Sequence, residues 1–322
     1  MVSGIYRQVT DALIAQLKQT HSGAWVCPWH RTRGGLPTNS KTGQRYRGIN
    51  ILNLWCAAER AGYADDRWAS YRQWRAKGAQ VRRGEKGTLV VFYKEIDKHQ
   101  SGTDGVDESG SPDRRYVLRS SVVFNRDQVD GLPQESEPQI EKQGTADQFD
   151  RFIDKTGAVV RFGGTQAFYN LQTDHIQLPI REHFKSADGY AATAAHELVH
   201  WTGAKARLSR DLSARFGKRA YAAEELVAEL GSAFLLAGLG LATVPHENHA
   251  AYVAGWLPVL RDDPRAIFVA AAQASLAVEW LFESAGRKTD GPRPGDDEHC
   301  SGGLLPEGQA DAQRMMFDGV AV

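Results

Sequence analysis

The stretch YAATAAHELVHWTG, residues 190–203, sets two imidazoles and a carboxylate, His196, Glu197 and His200, inside an apolar, helix-forming run. Ala191, Ala192, Ala194, Ala195 and Leu198 favour helix, and Gly203 reads as a left-handed stop. On that helix His196 and His200 lie one turn apart on the same face. The alanines, with Val199 and Trp201, predict burial, and two buried imidazoles without a partner are costly. A divalent cation held between the two rings removes that penalty. Glu197 then stands beside the water such an ion would activate, placed to act as general base.

The H-E-x-x-H spacing is that of zinc metallopeptidases; the competing reading is a pair of surface histidines. A third ligand is required, and YAAEELVAELGSAFLLAGLG, residues 221–240, offers Glu224, Glu225 and Glu229 on an apolar helix. Glu225 and Glu229 share a face, and a carboxylate on the core side of such a helix needs a cation. Glu229 sits deepest, among Leu226, Leu230, Ala233 and Phe234, and is the expected third ligand. Glu225 is then an acceptor for a ligand histidine N–H, with the reverse assignment open. Glu224 reads as a solvated charge. The expected cofactor is one Zn²⁺ per chain, another divalent transition metal also being compatible. His175, His183, His246, His249 and His299 read as structural or solvent-facing. Just upstream, NLQTDHIQLP (170–179) suits either an exposed strand along which a peptide lies antiparallel, or a plain core strand.

Overall neutrality hides an asymmetry. Residues 1–100 carry 17 Lys+Arg against 7 Asp+Glu, which leaves 22 against 32 in the remainder. Five of the eight tryptophans also lie in the first 74 residues. Trp29, Arg31, Arg45, Tyr46 and Arg47, then Trp68, Tyr71, Arg72, Trp74, Arg82 and Lys86, interleave cations for phosphates with flat rings for stacking. Single-stranded nucleic acid needs that combination, because its bases expose their faces. No helix-turn-helix, zinc-finger or RNP signature suggests duplex readout. Trp55 reads as core. Trp68 and Trp74, six apart, do not share a helical face, so at least one should be buried.

DKHQSGTDGVDESGSPDRR (97–115) lies between two alternating runs and reads as a long, mobile hairpin loop; residues 131–147 read as a linker. The expected fold is α+β in two domains. A small N-terminal α/β domain (1–130) binds single-stranded DNA; a mainly helical domain (148–286) carries a small sheet and the metal site; a flexible tail (287–322) follows. Helices are predicted at 5–20, 50–62, 67–77, 146–156, 189–202, 220–237, 248–261 and 264–285, and strands at 88–96, 116–125, 158–162 and within 166–179. No stretch of about 18 apolar residues is read, so no membrane partner is expected. Three cysteines without a C-x-x-C pair fit a reducing cytoplasm.

With these residues in view, the chain resembles the plasmid-encoded ArdC antirestriction proteins. The likeness rests on PW (28–29), YRGINILNLW (46–55), WASYRQW (68–74) and GAQVRRGEKGTLVVFYK (78–94), then HELVHWTG (196–203), RLSR (207–210) and YAAEELVAELGSAFL (221–235). It implies a single-stranded-DNA-binding domain joined to a zincin-like metallopeptidase domain, with His196, Glu197 and His200 as metal pair and base. It further implies protection of incoming plasmid DNA from host restriction during conjugation; read as an enzyme, the chain would cleave a restriction subunit or another DNA-bound protein. A non-catalytic coat for single-stranded DNA, with a structural metal, is the alternative.

Overall fold

Alternation in TLVVFYKEI and RYVLRSSVVFN produces a long hairpin. Thr88–Ile96 (β4) pairs antiparallel with Arg115–Asn125 (β5), in register from Thr88↔Val123 to Ile96↔Arg115. The computed structural model describes residues 35–96, 115–133, 145–243 and 249–287, with isolated helical positions between 4 and 15; side chains at 93–96, 115–118 and 249–255 fall outside it. The expected hairpin loop therefore lies outside the described residues, as do most of the linker and the tail.

Around the hairpin, Thr38–Asn39 (β1) runs parallel to Arg67–Ala69 (β2), and β2 runs antiparallel to β5, giving the order β1-β2-β5-β4. Gln80–Val81 (β3) and Val129–Asp130 (β6) form a separate two-stranded ladder. Ile49–Ala61 (α1) covers β4. Its buried Asn50 acts like a strand residue, donating to Val91 O at 2.7 Å and accepting from Val91 N at 2.8 Å on the outer edge of β4.

The predicted helix over 67–77 is instead strand β2 followed by Tyr71–Ala76 (α2). Ser70 divides them through a capping box: its Oγ accepts from Gln73 N, and its own N–H donates to Gln73 Oε1.

The second domain opens with Thr145–Thr156 (α3) and a sheet of Val160–Phe162 (β7), Phe168–Asn170 (β8) and His175–Leu178 (β9), in the order β7-β9-β8. Residues 170–179 are thus a turn and a buried central strand. Asn170 Oδ1 accepts from Gln172 N and Thr173 N, and Asp174 takes φ 49°, which reverses the chain. Of the two strand-170–179 alternatives, the core strand holds; the exposed edge beside the first metal-site helix is β8.

Ala187–Thr202 (α4), Ser213–Phe216 (α5), Ala220–Leu239 (α6), His249–Asp262 (α7) and Ala266–Ser284 (α8) complete the domain. Small residues bring α4 and α6 close: a Cβ on Gly231 would meet both Val199 methyls at 2.8 Å. By length and composition α8 could cross a membrane, a feature the sequence reading passed over. Here Ile267, Ala271, Ala274, Ala277 and Leu281 of α8 are buried in the core that includes α4 and α6.

That core also reaches the N-terminal half. Trp55 of α1 meets Phe234 of α6 edge-on at 5.6 Å, Gly48 N donates to Ser275 Oγ at 2.8 Å, and Tyr6 packs edge-on against Phe268 at 4.6 Å. Helix α1 thus packs into the C-terminal core, while the N-terminal sheet keeps two smaller apolar clusters of its own, around Trp68 and around Trp74.

Candidate metal centre

Helix α4 is buried almost throughout, as its alanines dictate, and it delivers His196 and His200 to one point. Their Nε2 atoms lie 3.2 Å apart. Glu225 of α6 faces both: Oε2 is 3.3 Å from His196 Nε2, and Oε1 is 3.7 Å from His200 Nε2. These three side chains offer donor atoms within 4.8 Å of one another. Glu229, one turn deeper, instead lies 3.8 Å from His196 Nδ1. It is therefore Glu225, rather than the expected Glu229, that faces both imidazoles. Glu225 stands level with the imidazole pair where a third ligand belongs, while Glu229 lies below it and backs His196.

Glu224 is no solvated charge. Its Oε1 lies 3.2 Å from His200 Nδ1, and Arg210 grips both its oxygens at 2.8 and 2.6 Å. Each histidine thus has a carboxylate near Nδ1 and turns Nε2 toward Glu225. Two neutral imidazoles cannot both donate across 3.2 Å, whereas two lone pairs and a carboxylate suit a shared cation. The donor set His₂Glu is one that zinc uses in catalytic sites. Four glutamates around two imidazoles and one guanidinium also leave negative charge that a divalent ion would offset. The residues fit the metal.

The electrostatics follow from that crowding. Burial alone would lower the His200 pKa, but the carboxylates of Glu224, Glu225 and Glu197 outweigh it and push it up to about 10. His196 is raised as well, Glu225 and Glu229 overcoming burial. Against burial, the two histidines hold the Glu225 carboxyl well below the usual range. Glu197 moves the other way: burial raises it, only partly opposed by His200 and His196. A carboxylate raised toward neutrality suits proton transfer. The backbone N–H of Tyr169 on β8 interacts with the same carboxylate, so the sheet edge borders the site.

Helix α4 does not end as the sequence suggested. Gly203 has φ −72°, a right-handed value, and its lack of a side chain serves proximity: a Cβ there would stand 2.8 Å from Arg210 Nη2. Arg207 lies over the Trp201 ring at 4.0 Å and donates to Asp174 and to Tyr169 Oη. Helical spacing marks neither arginine, since both lie in the loop after α4. His175 is buried beside Thr173, and His183 is exposed, in keeping with structural and solvent-facing roles.

The basic half divides differently from expectation. Tyr46, Trp68 and Trp74 are buried at 3%, 1% and 0% exposure and cannot stack on bases. Trp74 Nε1 donates to Phe124 O, and Trp68 packs edge-on against Tyr63. They are core because a thin sheet with short helices needs large side chains to fill it. Arg47 is spent on Glu279 of α8 at 2.8 Å. Arg45 is exposed and lies over Phe282. Tyr71, Arg72, Arg82 and Lys86 are exposed on α2 and the β3–β4 turn, Arg82 being partly engaged by Glu85 and Asp130. Trp29 and Arg31 lie outside the described residues.

A helix bearing H-E-x-x-H, a glutamate from the next long helix and a small flanking sheet define a zincin-like domain. The zincin-like metallopeptidase family matches residues 147–273, and the family of the N-terminal domain of anti-restriction factor ArdC matches residues 3–124. Protein y4eC of Sinorhizobium fredii (strain NBRC 101917 / NGR234) is 43% identical over 280 residues, covering 86% of this chain and 91% of its own. The DNA primase TraC of Escherichia coli is 41% identical over 294 residues, 86% of this chain but 27% of the primase. Among solved structures, ArdC from plasmid R388 matches in metal-free form with TM-score 0.74 and 39% identity, covering 87% of this chain and 97% of that one. Its Mn(II)-bound form matches with TM-score 0.69 and 41% identity, with the same coverage. The chain belongs to the ArdC family of antirestriction proteins.

Proposed function

We propose that this chain protects incoming plasmid DNA from restriction during conjugation, gripping single-stranded DNA with its N-terminal half and acting in the cytoplasm as a metal-dependent peptidase. The observation that carries the enzymatic reading is the convergence of His196, His200 and Glu225 with Glu197 beside them. Zinc suits the donor set, and the R388 relative's Mn(II) supports a divalent ion more broadly. When bound, the ion supplies Lewis-acid polarisation of a carbonyl. Glu197 holds the proton taken from water, with burial keeping its carboxyl receptive. Glu224 holds the His200 ring, Glu229 sets a carboxylate 3.8 Å from His196 Nδ1, and the outer edge of β8 offers backbone groups to an extended peptide, such as a segment of a restriction subunit or another DNA-bound protein.

A Glu197→Ala variant of the full chain tests the catalytic part. It is expected to keep fold and metal and to lose protection of transferred plasmid in a restricting host. Unchanged protection would move the activity to the DNA-binding half alone.

A further inference from the structure

We propose that Arg210 is a positioning residue for the metal centre, acting through Glu224 to fix the ring of His200. This rests on the metal reading above and names a residue that reading does not include.

The Arg210 side chain is 1% exposed, and its charge is committed to one neighbourhood. Nε and Nη2 form a two-pronged grip on Glu224, at 2.8 and 2.6 Å. Nη2 also donates to Val199 O at 2.9 Å, and Nη1 to Thr202 Oγ1 at 3.1 Å. The guanidinium therefore bolts Glu224 of α6 to the C-terminal end of α4, where a positive charge is favoured. Glu224 has little choice of rotamer once held there, and its Oε1 faces His200 Nδ1 at 3.2 Å. A carboxylate at Nδ1 keeps the proton on that nitrogen and leaves the Nε2 lone pair for a metal.

The chain between the helices is shaped to make this contact. Leu208 N, Ser209 N and Arg210 N bond back to Thr202 O, Ala204 O and Gly203 O, each at 3.0 Å, and Ser209 takes φ 48°. A left-handed non-glycine residue is disfavoured in isolation. Gly203 completes the fit, since any Cβ there would meet the guanidinium. Lysine could supply the charge but not the two-pronged geometry.

The experiment measures metal affinity by chelator competition with Zn²⁺ on the folded full chain, alongside ¹⁵N–¹H spectra of the His200 ring. Arg210→Lys, Glu224→Gln and Gly203→Ala are compared; the last displaces the guanidinium without removing it. Each is expected to weaken Zn²⁺ by about 10–100-fold, and Arg210→Lys with Glu224→Gln together should lose no more than the worse single change. The protected Nδ1–H signal of His200 should be present in the native chain, with or without metal, and be lost in all three variants. A variant that does not fold is set aside, and the remaining ones decide. Native affinity and an intact Nδ1–H signal, with only a lowered melting temperature, would overturn the proposal and leave Arg210 a helix-end clamp. Absence of zinc binding by the native chain would instead sink the metal reading, while the Nδ1–H signal would still decide whether Arg210 and Glu224 hold the ring.

Discussion

His200 contributes a pH dependence of its own to the site. With its pKa near 10 in the metal-free fold against an ordinary 6.5, the proton it binds stabilises the folded state. The raised value means this stabilisation is complete below about pH 6.5 and is lost as pH rises through about 10. Thermal melts of chelator-stripped protein should show a melting temperature that falls across that window, and His200→Gln should reduce the fall, leaving the part that the raised His196 contributes. A native profile flat from 6.5 to 10 would contradict the carboxylate cage drawn around the ring. Metal binding must displace the same proton, so zinc affinity should rise with pH over the same range. That His196 and His200 meet at one point was legible at this scale, because helical spacing alone puts them on one face. That Glu225 rather than Glu229 faces both rings was not. Both glutamates lie on the same stripe, and only the level at which α6 crosses α4 decides which meets the imidazoles. Arg210 was illegible for a related reason, since its contact depends on a loop that doubles back.

Among elements, the α4–α6 crossing sets the site, and Gly231 sets the crossing. Val199 is β-branched and stiff, so it cannot swing away from an added Cβ at 2.8 Å. Gly231→Ala should destabilise by about 1–3 kcal/mol in urea melts, and Val199→Ala in the same chain should recover part of that. A neutral Gly231→Ala would mean the helices have room to separate. Long periodic helices and the β4–β5 hairpin were readable from pattern, because their apolar faces repeat over many residues. The short elements were not. Residues 67–77 have helical composition, yet a single capping serine splits them into strand and helix. Residues 166–179 look continuous, yet an Asn170 side-chain turn folds them into a hairpin.

For the whole molecule, α1 ties the N-terminal sheet to the large C-terminal core, so the two halves should unfold together, with far-UV circular dichroism and tryptophan fluorescence tracing coincident transitions. Separate transitions would mean that a tether alone joins them. The same burial sorts the aromatic and basic residues. Trp74→Ala should cost about 3–5 kcal/mol of stability, since it is fully buried. The exposed pair Arg72→Ala and Lys86→Ala should leave stability within about 0.5 kcal/mol, while flattening the salt dependence of single-strand binding by about 0.7 per lost phosphate contact. Unaltered binding by that pair would place the DNA contact elsewhere. Composition could announce a basic, aromatic half, but it could not say which rings fill a core and which face solvent. The most direct test of the account is calorimetric titration of metal-stripped full-length chain with Zn²⁺, comparing Glu225→Ala with Glu229→Ala. One site per native chain is expected, with Glu225→Ala weakening it beyond the about 10–100-fold loss expected for Glu229→Ala. No binding by the native chain, or a greater loss in Glu229→Ala than in Glu225→Ala, would contradict it.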